Sequence, residues 1–357
     1  MAGGVAFETP FGRIYSTNIT PHTGTGIGNW TGAQFLDSMR NGVRADGKHL
    51  YPVFPYTAFT KVTDDDVAAL FAYLQSIPAA NQKARKNDLS FPFNQRSLMF
   101  IWKAMFFDAG TYAADSTKSA EWNRGAYIIE ALAHCGACHS PRNILGAEHT
   151  DMAMTGGVYT DKVASGAMRP WSAPNLTSAA SGLGLWPHEE VAAYLKTGKN
   201  SFVETFGPMN EVLLNSTRHL KDDDVNAMAV YLKSLPSNEA NNVATAKDSV
   251  LGMGRTLYNL HCGTCHLPTG LGDEESAPRL GGGSLVVQAS NPASLINVIL
   301  DGPELPDPPL PTKRRKPMED FRYLLDDEEI AALASYLRSA WGNTGGEVTA
   351  EQVAEQR

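Results

Sequence analysis

All four cysteines of this chain occur in two copies of one motif, and each copy ends in a histidine. The copies are Cys135-Gly-Ala-Cys138-His139 and Cys262-Gly-Thr-Cys265-His266. Two cysteines spaced in this way and followed directly by histidine are typical of covalent haem attachment, in which the thiols bond the porphyrin edge and the histidine binds the iron. The motifs therefore predict two covalently bound haem c groups, with the two histidines as iron ligands.

Other uses of paired cysteines explain the pattern less well. A zinc site made from two such pairs usually places them ~15–20 residues apart, and these pairs lie much further apart along the chain. A thioredoxin-like pair needs a βαβ context and no histidine. A disulfide within so short a loop leaves both histidines unexplained. Zinc and a simple disulfide stay open as alternatives to haem.

A low-spin electron-transfer haem needs a second axial ligand, and methionine is the usual partner of histidine. Met318 is the only methionine after His266, so we predict that it is the ligand there. Before the second motif, Met209 is favoured because, like Met318, it stands in a loop ahead of a helix, whereas Met228 lies inside that helix. Each methionine also has a simpler interpretation as a core residue that fills a gap. The other methionines that compete with Met209 are Met152, Met154 and Met168.

Three copies of one amphipathic helix divide the chain into repeats. Each copy begins with acidic residues, which suit the positive end of a helix dipole, and two of the copies stop at a proline. The copies run from Thr63 to Pro78, from Lys221 to Pro236 and from Asp326 to Trp341. The first two copies belong to a longer repeat that extends upstream of the helix. Residues 15–78 match residues 172–236, but only the later copy follows a Cys-x-x-Cys-His motif.

Several longer stretches carry a family resemblance that covers nearly the whole chain, from about Ala6 to Gly342. The chain resembles the three-haem cytochrome c subunit of bacterial membrane-associated alcohol, gluconate or sugar dehydrogenases. The stretches that carry this resemblance are Thr9 to Pro21, His49 to Tyr56, Gly125 to Arg142, and Gly207 to Met209.

The resemblance implies a mainly α fold of tandem class I cytochrome c domains, the first of them a cytochrome c-like unit truncated at its N-terminus. We call the three units the first, middle and last repeats. The predicted divisions are the first repeat at 1–80, a linker at 81–120, the middle repeat at 121–238, the last repeat at 239–342 and a polar, mobile tail at 343–357.

Two prolines are predicted to support the ligand histidines. Ser172-Ala-Pro174 and Ser276-Ala-Pro278 resemble the class I segment whose proline carbonyl accepts a hydrogen bond from Nδ1 of the proximal histidine. Such a bond fixes the ring and strengthens it as a donor. The alternative is that both prolines only shape a loop.

The first repeat is expected to bind no haem as written. It has no cysteine, and Phe54 stands where relatives can carry methionine. In the family a first motif lies just upstream, so we expect the DNA before Met1 to encode an export signal and a third Cys-x-x-Cys-His, which would add a third haem. As given, this repeat lacks its first helix, which would carry the missing motif. We call the repeated amphipathic helix at the end of each repeat its closing helix. Without the first helix, the closing helix of this repeat should expose its apolar face. The residues of that face are Val67, Leu70, Phe71 and Leu74.

Two segments outside the motifs have open interpretations. The aromatic-rich stretch from Asn81 to Trp122 is expected to pack within the chain, with a partner subunit as the alternative. The proline-rich stretch from Pro303 to Pro317 contains a Lys-Arg-Arg-Lys run, which is either a basic rim that steers an acidic partner or a solvated loop.

Charge and hydropathy exclude other classes of function. The net charge of −8 argues against sequence-independent binding of nucleic acid, and no stretch approaches the ~20 apolar residues of a membrane span.

The resemblance implies a non-catalytic, periplasmic electron-transfer subunit, peripheral to the outer face of the inner membrane. It would carry electrons between a catalytic dehydrogenase and quinone or another respiratory acceptor. The alternatives are a di-haem peroxidase-like enzyme, the acceptor subunit of a molybdenum hydroxylase, or a free shuttle cytochrome.

Overall fold

The computed structural model describes residues 1–162, 167–239, 244–307, 310 and 315–357. Its contacts divide the chain into an N-terminal unit, Met1–Lys118 with Ala126–His134, and a C-terminal unit, Ser119–Gly125 with Cys135–Arg357. The finer division into repeats, linker and tail stays a prediction. Within the described ranges, no helix is both long enough and apolar enough to cross a membrane.

The N-terminal unit combines a small antiparallel sheet with short helices. Its elements are β1 (Ala6–Thr9), β2 (Gly12–Tyr15), α1 (Gly32–Asn41), α2 (Tyr56–Phe59), α3 (Asp64–Ser76), β3 (Asp88–Leu89) and α4 (Leu98–Phe106). The sheet order is β1-β2-β3. Thr31 and Gln34 form a capping box that starts α1, and Gly42 ends this helix at a positive φ of 58°.

The C-terminal unit holds both cysteine motifs and is mainly helical. Its strands form one hairpin in which Tyr159 lies opposite Trp171. The helical run that begins with α5 continues as a π-helical turn, Ile128–Leu132, and from Ala126 onward this run belongs to the N-terminal unit. The elements are α5 (Ala120–Tyr127), α6 (Gly136–His139), β4 (Gly157–Lys162), β5 (Met168–Ala173), α7 (His188–Thr197), α8 (Met209–Asn215), α9 (Asp222–Ser234), α10 (Asp248–His261), α11 (Gly263–His266), α12 (Leu285–Gln288), α13 (Ala293–Asp301), α14 (Asp327–Ser339) and α15 (Ala350–Gln356).

The three repeated helices of the sequence are α3, α9 and α14, and each has 13 residues. All three have acidic residues in the first turn. Asp326 forms a capping box with Glu329 at the start of α14, and the Thr63 side chain caps α3. Side-chain caps supply acceptors for main-chain N–H groups that have no partner within a helix.

In the two repeats with a cysteine motif, a glycine lets another helix cross the closing helix closely. A Cβ on Gly125 of α5 would overlap the Ala227 carbonyl oxygen of α9, and a Cβ on Gly254 of α10 would overlap the Ala332 carbonyl oxygen of α14. The corresponding position of α3 is Ala69, which is exposed. The helix crossing is therefore a feature of the middle and last repeats.

The expected bare apolar face of α3 is wrong for most of its residues. Val67 and Leu74 are 2% and 3% exposed and pack with Phe35 in the core of the N-terminal unit. Phe71 is half-buried and stacks on Phe35 with ring centroids 5.0 Å apart. Only Leu70, at 39%, is exposed as predicted. The reason is that α1 covers this side of the helix.

We expect Gly254→Ala to destabilise the last repeat by about 1–3 kcal/mol, because the added methyl must push α10 away from the α14 backbone. Gly252→Ala is a matched control in the same helix, since a Cβ there meets nothing within 4 Å. The control should be neutral or stabilising by about 0.5–1 kcal/mol, because alanine loses less backbone entropy on folding. Urea unfolding followed by circular dichroism measures both, and equal midpoints would contradict close packing at Gly254.

The linker between the first two repeats packs within its own unit. Met99 and Trp102 of α4 are buried, and the Trp102 ring meets Tyr56 edge-on at 6.3 Å. The Lys103 ammonium points inward and donates to the carbonyl of Gly42 at 2.9 Å. These contacts agree with the interpretation that the aromatic stretch packs inside the chain.

The expectation of a mobile tail after Trp341 is wrong. The tail forms α15, which starts at a capping box of Thr349 and Gln352 and buries Val353 completely. The Arg357 guanidinium forms an ion pair with Asp327 at 2.6 Å. The polar composition concealed two buried valines, Val348 and Val353, and a helix cap, which together dock this short helix.

Candidate functional site

Each cysteine motif lies at the end of a helical run and forms a short helix of its own. In the middle repeat, the motif histidine ends α6, and the backbone of β4 lies directly against it. The Gly156 N–H donates to the His139 carbonyl at 2.8 Å, and a Cβ on Gly157 would overlap the Cys138 carbonyl oxygen. Glycine at these positions lets the hairpin hold the motif in place.

In the last repeat, the motif follows α10 and ends with α11. Tyr258 is fully buried and its hydroxyl donates to the Leu267 carbonyl. The Trp341 ring packs against Tyr258 with centroids 5.0 Å apart, and the Gly272 N–H donates to the His266 carbonyl at 3.0 Å. The motif is therefore held by the Tyr258 side chain of α10 and by Trp341, which follows α14.

Both motif histidines have the same hydrogen bond. The Nδ1 atom of His139 lies 2.8 Å from the Pro174 carbonyl oxygen, and that of His266 lies 2.8 Å from the Pro278 carbonyl oxygen. A carbonyl oxygen only accepts, so Nδ1 carries the proton and donates it in each bond. Nε2 of each neutral ring then keeps a free lone pair, as a metal ligand requires.

Burial favours the neutral forms of the motif side chains. It lowers the pKa of His139 and of His266, and the positive charge of Arg315 adds to the lowering at His266. It also raises the pKa of Cys135 to about 12 and that of Cys262 to about 11. Over the described ranges, no group of three or more His, Cys, Asp or Glu side chains is arranged to hold a metal ion.

The cysteines fit covalent attachment. None of the four forms a disulfide, since all are free thiols. Together with two oriented neutral imidazoles, the donor set suits an iron porphyrin attached through thioether bonds.

The two methionines predicted as ligands each precede a closing helix in the chain. Met209 is the first residue of α8 and is half-buried. The preceding Gly207 has a positive φ of 60° and its N–H donates to the Glu304 carbonyl at 2.9 Å. Met318 is half-buried against the core of the last repeat, ahead of α14. Their role as axial ligands stays a prediction.

The competing methionines have other environments. Met228 is fully buried inside α9, as its interpretation as a core residue requires. Met154 is 7% exposed and has a positive φ of 62°, and its N–H donates to Ser140 Oγ at 3.1 Å. Met152 belongs to a single 3-10 turn, and Met168 begins β5.

In the first repeat, aromatic side chains occupy the region ahead of the closing helix. Phe54 is half-buried against the core of the N-terminal unit, and its ring lies 5.2 Å from that of Phe59. The ring of His134 in turn meets Phe59 edge-on at 5.4 Å. The fully described N-terminal unit contains no cysteine, and the methionine in the core on which Phe54 and Phe59 pack is Met39, which is 4% exposed.

Sequence reasoning missed two arginines beside the second motif. Arg279 directly follows Pro278, and this position next to the predicted proximal proline could have identified it from the sequence. Arg315 belongs to the Lys-Arg-Arg-Lys run, and it is 7% exposed, so neither a basic rim nor a solvated loop describes it. Lys313 and Arg314 of the same run lie outside the described residues. Burial lowers the pKa of Arg315, while nearby carboxylates, Glu204 first, oppose that shift.

Comparison with known families decides the identity of the site. Residues 123–236 and 253–341 match the Cytochrome c family, and each matched segment contains one Cys-x-x-Cys-His motif. The chain belongs to the cytochrome c family. The predicted fold class of tandem cytochrome c domains is thereby confirmed, and membership implies that this cytochrome binds haem c covalently.

Three relatives of this cytochrome are named as subunits of dehydrogenases. A nicotinate dehydrogenase subunit of Pseudomonas putida is 41% identical over 349 residues, which cover 94% of this chain and 28% of that protein. The fructose dehydrogenase cytochrome subunit of Gluconobacter japonicus is 36% identical over 100% of this chain and 77% of its own length. The alcohol dehydrogenase (quinone) cytochrome c subunit of Gluconobacter oxydans is 34% identical with the same coverage.

These relatives confirm the family resemblance and the prediction of an electron-transfer cytochrome subunit. The chain spans only about a quarter of the nicotinate dehydrogenase subunit, and just over three quarters of the other two proteins.

Proposed function

We propose that this cytochrome binds two haems c and passes single electrons from a catalytic dehydrogenase to membrane quinone or another respiratory acceptor. The dehydrogenase acts on an alcohol, an aldehyde or a sugar acid. The cytochrome works in the periplasm, peripheral to the outer face of the bacterial inner membrane. The observation that carries the proposal is the pair of histidines, each directly after a cysteine pair and each oriented by a proline carbonyl.

Eight side chains would hold the two haems. The thiols form the thioether bonds, and one histidine and one methionine bind each iron. The proposed set is Cys135, Cys138, His139 and Met209 in the middle repeat, and Cys262, Cys265, His266 and Met318 in the last repeat. When bound, the haem supplies a one-electron couple at the iron.

The chain itself tunes that couple through the groups around the ligands. The carbonyls of Pro174 and Pro278 keep the proton on Nδ1 of each histidine and make the ring a stronger donor. The buried side chains of α9 and α14, such as Met228 and Leu333, exclude water from the cores on which the site rests. Ligation by histidine and methionine would leave no open position for a substrate, as suits a carrier that performs no catalysis.

The partner is inferred from the relatives. Their names describe subunits of fructose, alcohol and nicotinate dehydrogenases, so a catalytic dehydrogenase is the proposed electron donor. The quinone in the name of the alcohol dehydrogenase supports membrane quinone as the acceptor. None of these names describes a peroxidase, and two of the three describe dehydrogenases of a sugar or an alcohol.

Haem counting and ligand exchange test the proposal. After export and haem maturation in a bacterial periplasm, the pyridine haemochrome assay should give two haems per chain, matching the two motifs. The dithionite-reduced protein should bind no carbon monoxide, because both axial positions are filled. A third haem, or one carbon monoxide bound per chain, would contradict the proposed ligand sets.

Electron transfer needs a separate measurement. The oxidised cytochrome, mixed with the dehydrogenase encoded beside its gene, should become reduced only when that enzyme's substrate is added, and a soluble quinone should reoxidise it. Turnover of hydrogen peroxide by the cytochrome alone would support the peroxidase alternative instead.

A further inference from the structure

Two arginines of the last repeat meet one turn of the middle repeat. Arg315 Nη2 donates to the Asn200 carbonyl at 2.9 Å, and the Arg279 guanidinium lies 4.4 Å from the centroid of the Phe202 ring. Asn200 and Phe202 belong to the same turn, since Asn200 Oδ1 accepts the Phe202 N–H at 2.8 Å. Both arginines therefore lie where the two cytochrome domains of the C-terminal unit touch.

Each of these arginines keeps a buried N–H group without an acceptor. Arg315 Nη1 and Arg279 Nε have no hydrogen-bond partner in the described part of the chain. A buried charged donor without an acceptor costs more free energy than a neutral one, so this pattern indicates an anionic group that the polypeptide does not provide.

Arg315 shares a cavity of about 340 Å³ with Lys199 and three glutamates, Glu190, Glu274 and Glu275. Three of the carboxylates near Arg315 accept hydrogen bonds from other groups. Glu190 Oε2 accepts the Ser201 N–H at 2.9 Å, and Asp273 Oδ1 accepts two main-chain N–H groups, at 2.8 and 2.7 Å. Glu204 Oε2 accepts the main-chain N–H of Arg315 at 3.3 Å and not Nη1 of its guanidinium. These acids raise the local negative charge without satisfying the two unused donors.

Both arginines are attached to the loop that carries the proximal proline. Arg315 Nε donates to the Asp273 carbonyl at 3.3 Å, and Arg279 is the residue after Pro278, whose carbonyl orients His266. In the middle repeat, Asn175 takes the place of Arg279, and its amide donates within the protein, to the Asn238 carbonyl at 2.9 Å among others. Among the residues that the structure describes, the last repeat thus presents unused cationic donors beside its motif and the middle repeat does not.

We infer that Arg315 and Arg279 bind the propionate carboxylates of the haem attached at Cys262 and Cys265. The inference rests on the proposed function, because it requires haem at that motif. Guanidinium groups match carboxylates in shape and charge, and a propionate would accept the two unused donors. The fixed positive charges also favour the ferrous over the ferric haem, because ferric iron carries one more positive charge.

Redox titration combined with resonance Raman spectroscopy tests this inference on the holoprotein. Arg315→Gln should lower the midpoint potential of one haem only, so that its reduced-to-oxidised ratio at the parent midpoint falls about tenfold, which is ~59 mV for one electron. It should also shift the propionate bending mode of that haem. Arg279→Gln should act in the same direction. Arg255→Gln is the matched control, because Arg255 is an exposed residue of the same repeat, and it should change neither signal.

Arg315→Lys separates charge from geometry. Lysine keeps the charge but lacks the planar fork, so the potential should stay near the parent value while the Raman mode shifts. This variant and Arg279→Gln also decide the matter if Arg315→Gln does not fold. Parent-like potentials and Raman modes in the folded variants would overturn the inference. A parent protein without haem at the second motif would instead refute the proposed function, and haem counting distinguishes the two failures.

Discussion

Replacing Cys262 and Cys265 together by alanine should halve the haem content of the protein. Both thioether bonds of the last repeat require these thiols, and without them only two axial bonds would retain the porphyrin. The pyridine haemochrome assay after acidic acetone extraction, which removes haem that is not covalently bound, should fall from two haems per chain to one. The lost haem is also part of the core of its repeat, so the last repeat should unfold at lower denaturant concentration.

His261→Gln provides the control for this experiment. His261 directly precedes the motif and its ring packs edge-on against Phe321 at 5.8 Å, so it is available neither as a thioether residue nor as a proximal ligand. This variant should retain both haems. An unchanged haem content in the double cysteine variant would refute haem attachment at the second motif.

Met318→Ala should open one axial position while leaving covalent attachment intact. Methionine raises the potential of a histidine-ligated haem, and axial ligands together span about 0.8 V of redox potential. We therefore expect the midpoint potential of one haem to fall by more than ~59 mV, which is a tenfold change in the reduced-to-oxidised ratio of a one-electron couple. The ferrous variant should also bind one carbon monoxide per chain. Spectroelectrochemical titration and carbon monoxide difference spectra measure the two effects.

Met253→Ala is the matched control, because Met253 is in the same repeat but is 41% exposed on α10. It should retain both potentials and bind no carbon monoxide. Met209→Ala should repeat the Met318 result in the other haem. If the Met318 variant has the potentials of the parent and remains closed to carbon monoxide, Met318 is not an iron ligand.

The regular part of the fold was predictable because it is local and repeated. The acidic first turns and the recurring Tyr-Leu pair identify the closing helices in the sequence, and α3, α9 and α14 have equal lengths. The proline partners of the histidines were also visible, since Pro174 and Pro278 follow the motifs in similar three-residue contexts. Short-range chemistry, such as caps and motif spacing, needs no knowledge of the distant chain.

Predictions that depended on what lies against a surface were less successful. Val67 and Leu74 were expected to be exposed, but α1 covers them. The residues after Trp341 were expected to be a mobile tail, but Val353 has a buried site in the core of the last repeat. Burial is decided by contacts between residues far apart in sequence, and a local pattern does not contain them.

The sequence by itself determined the chemistry of this cytochrome, because covalent haem attachment requires two thiols and a histidine within five consecutive residues. Tertiary structure decided the state and surroundings of those groups. The Nδ1 proton of His139 is placed by a carbonyl 35 residues away, and that of His266 by one 12 residues away. Arg315 acquires its unused buried donor only because the turn at Asn200 closes over it. The physical reason is that hydrogen bonding and desolvation depend on distance in space, whereas a motif records only distance along the chain.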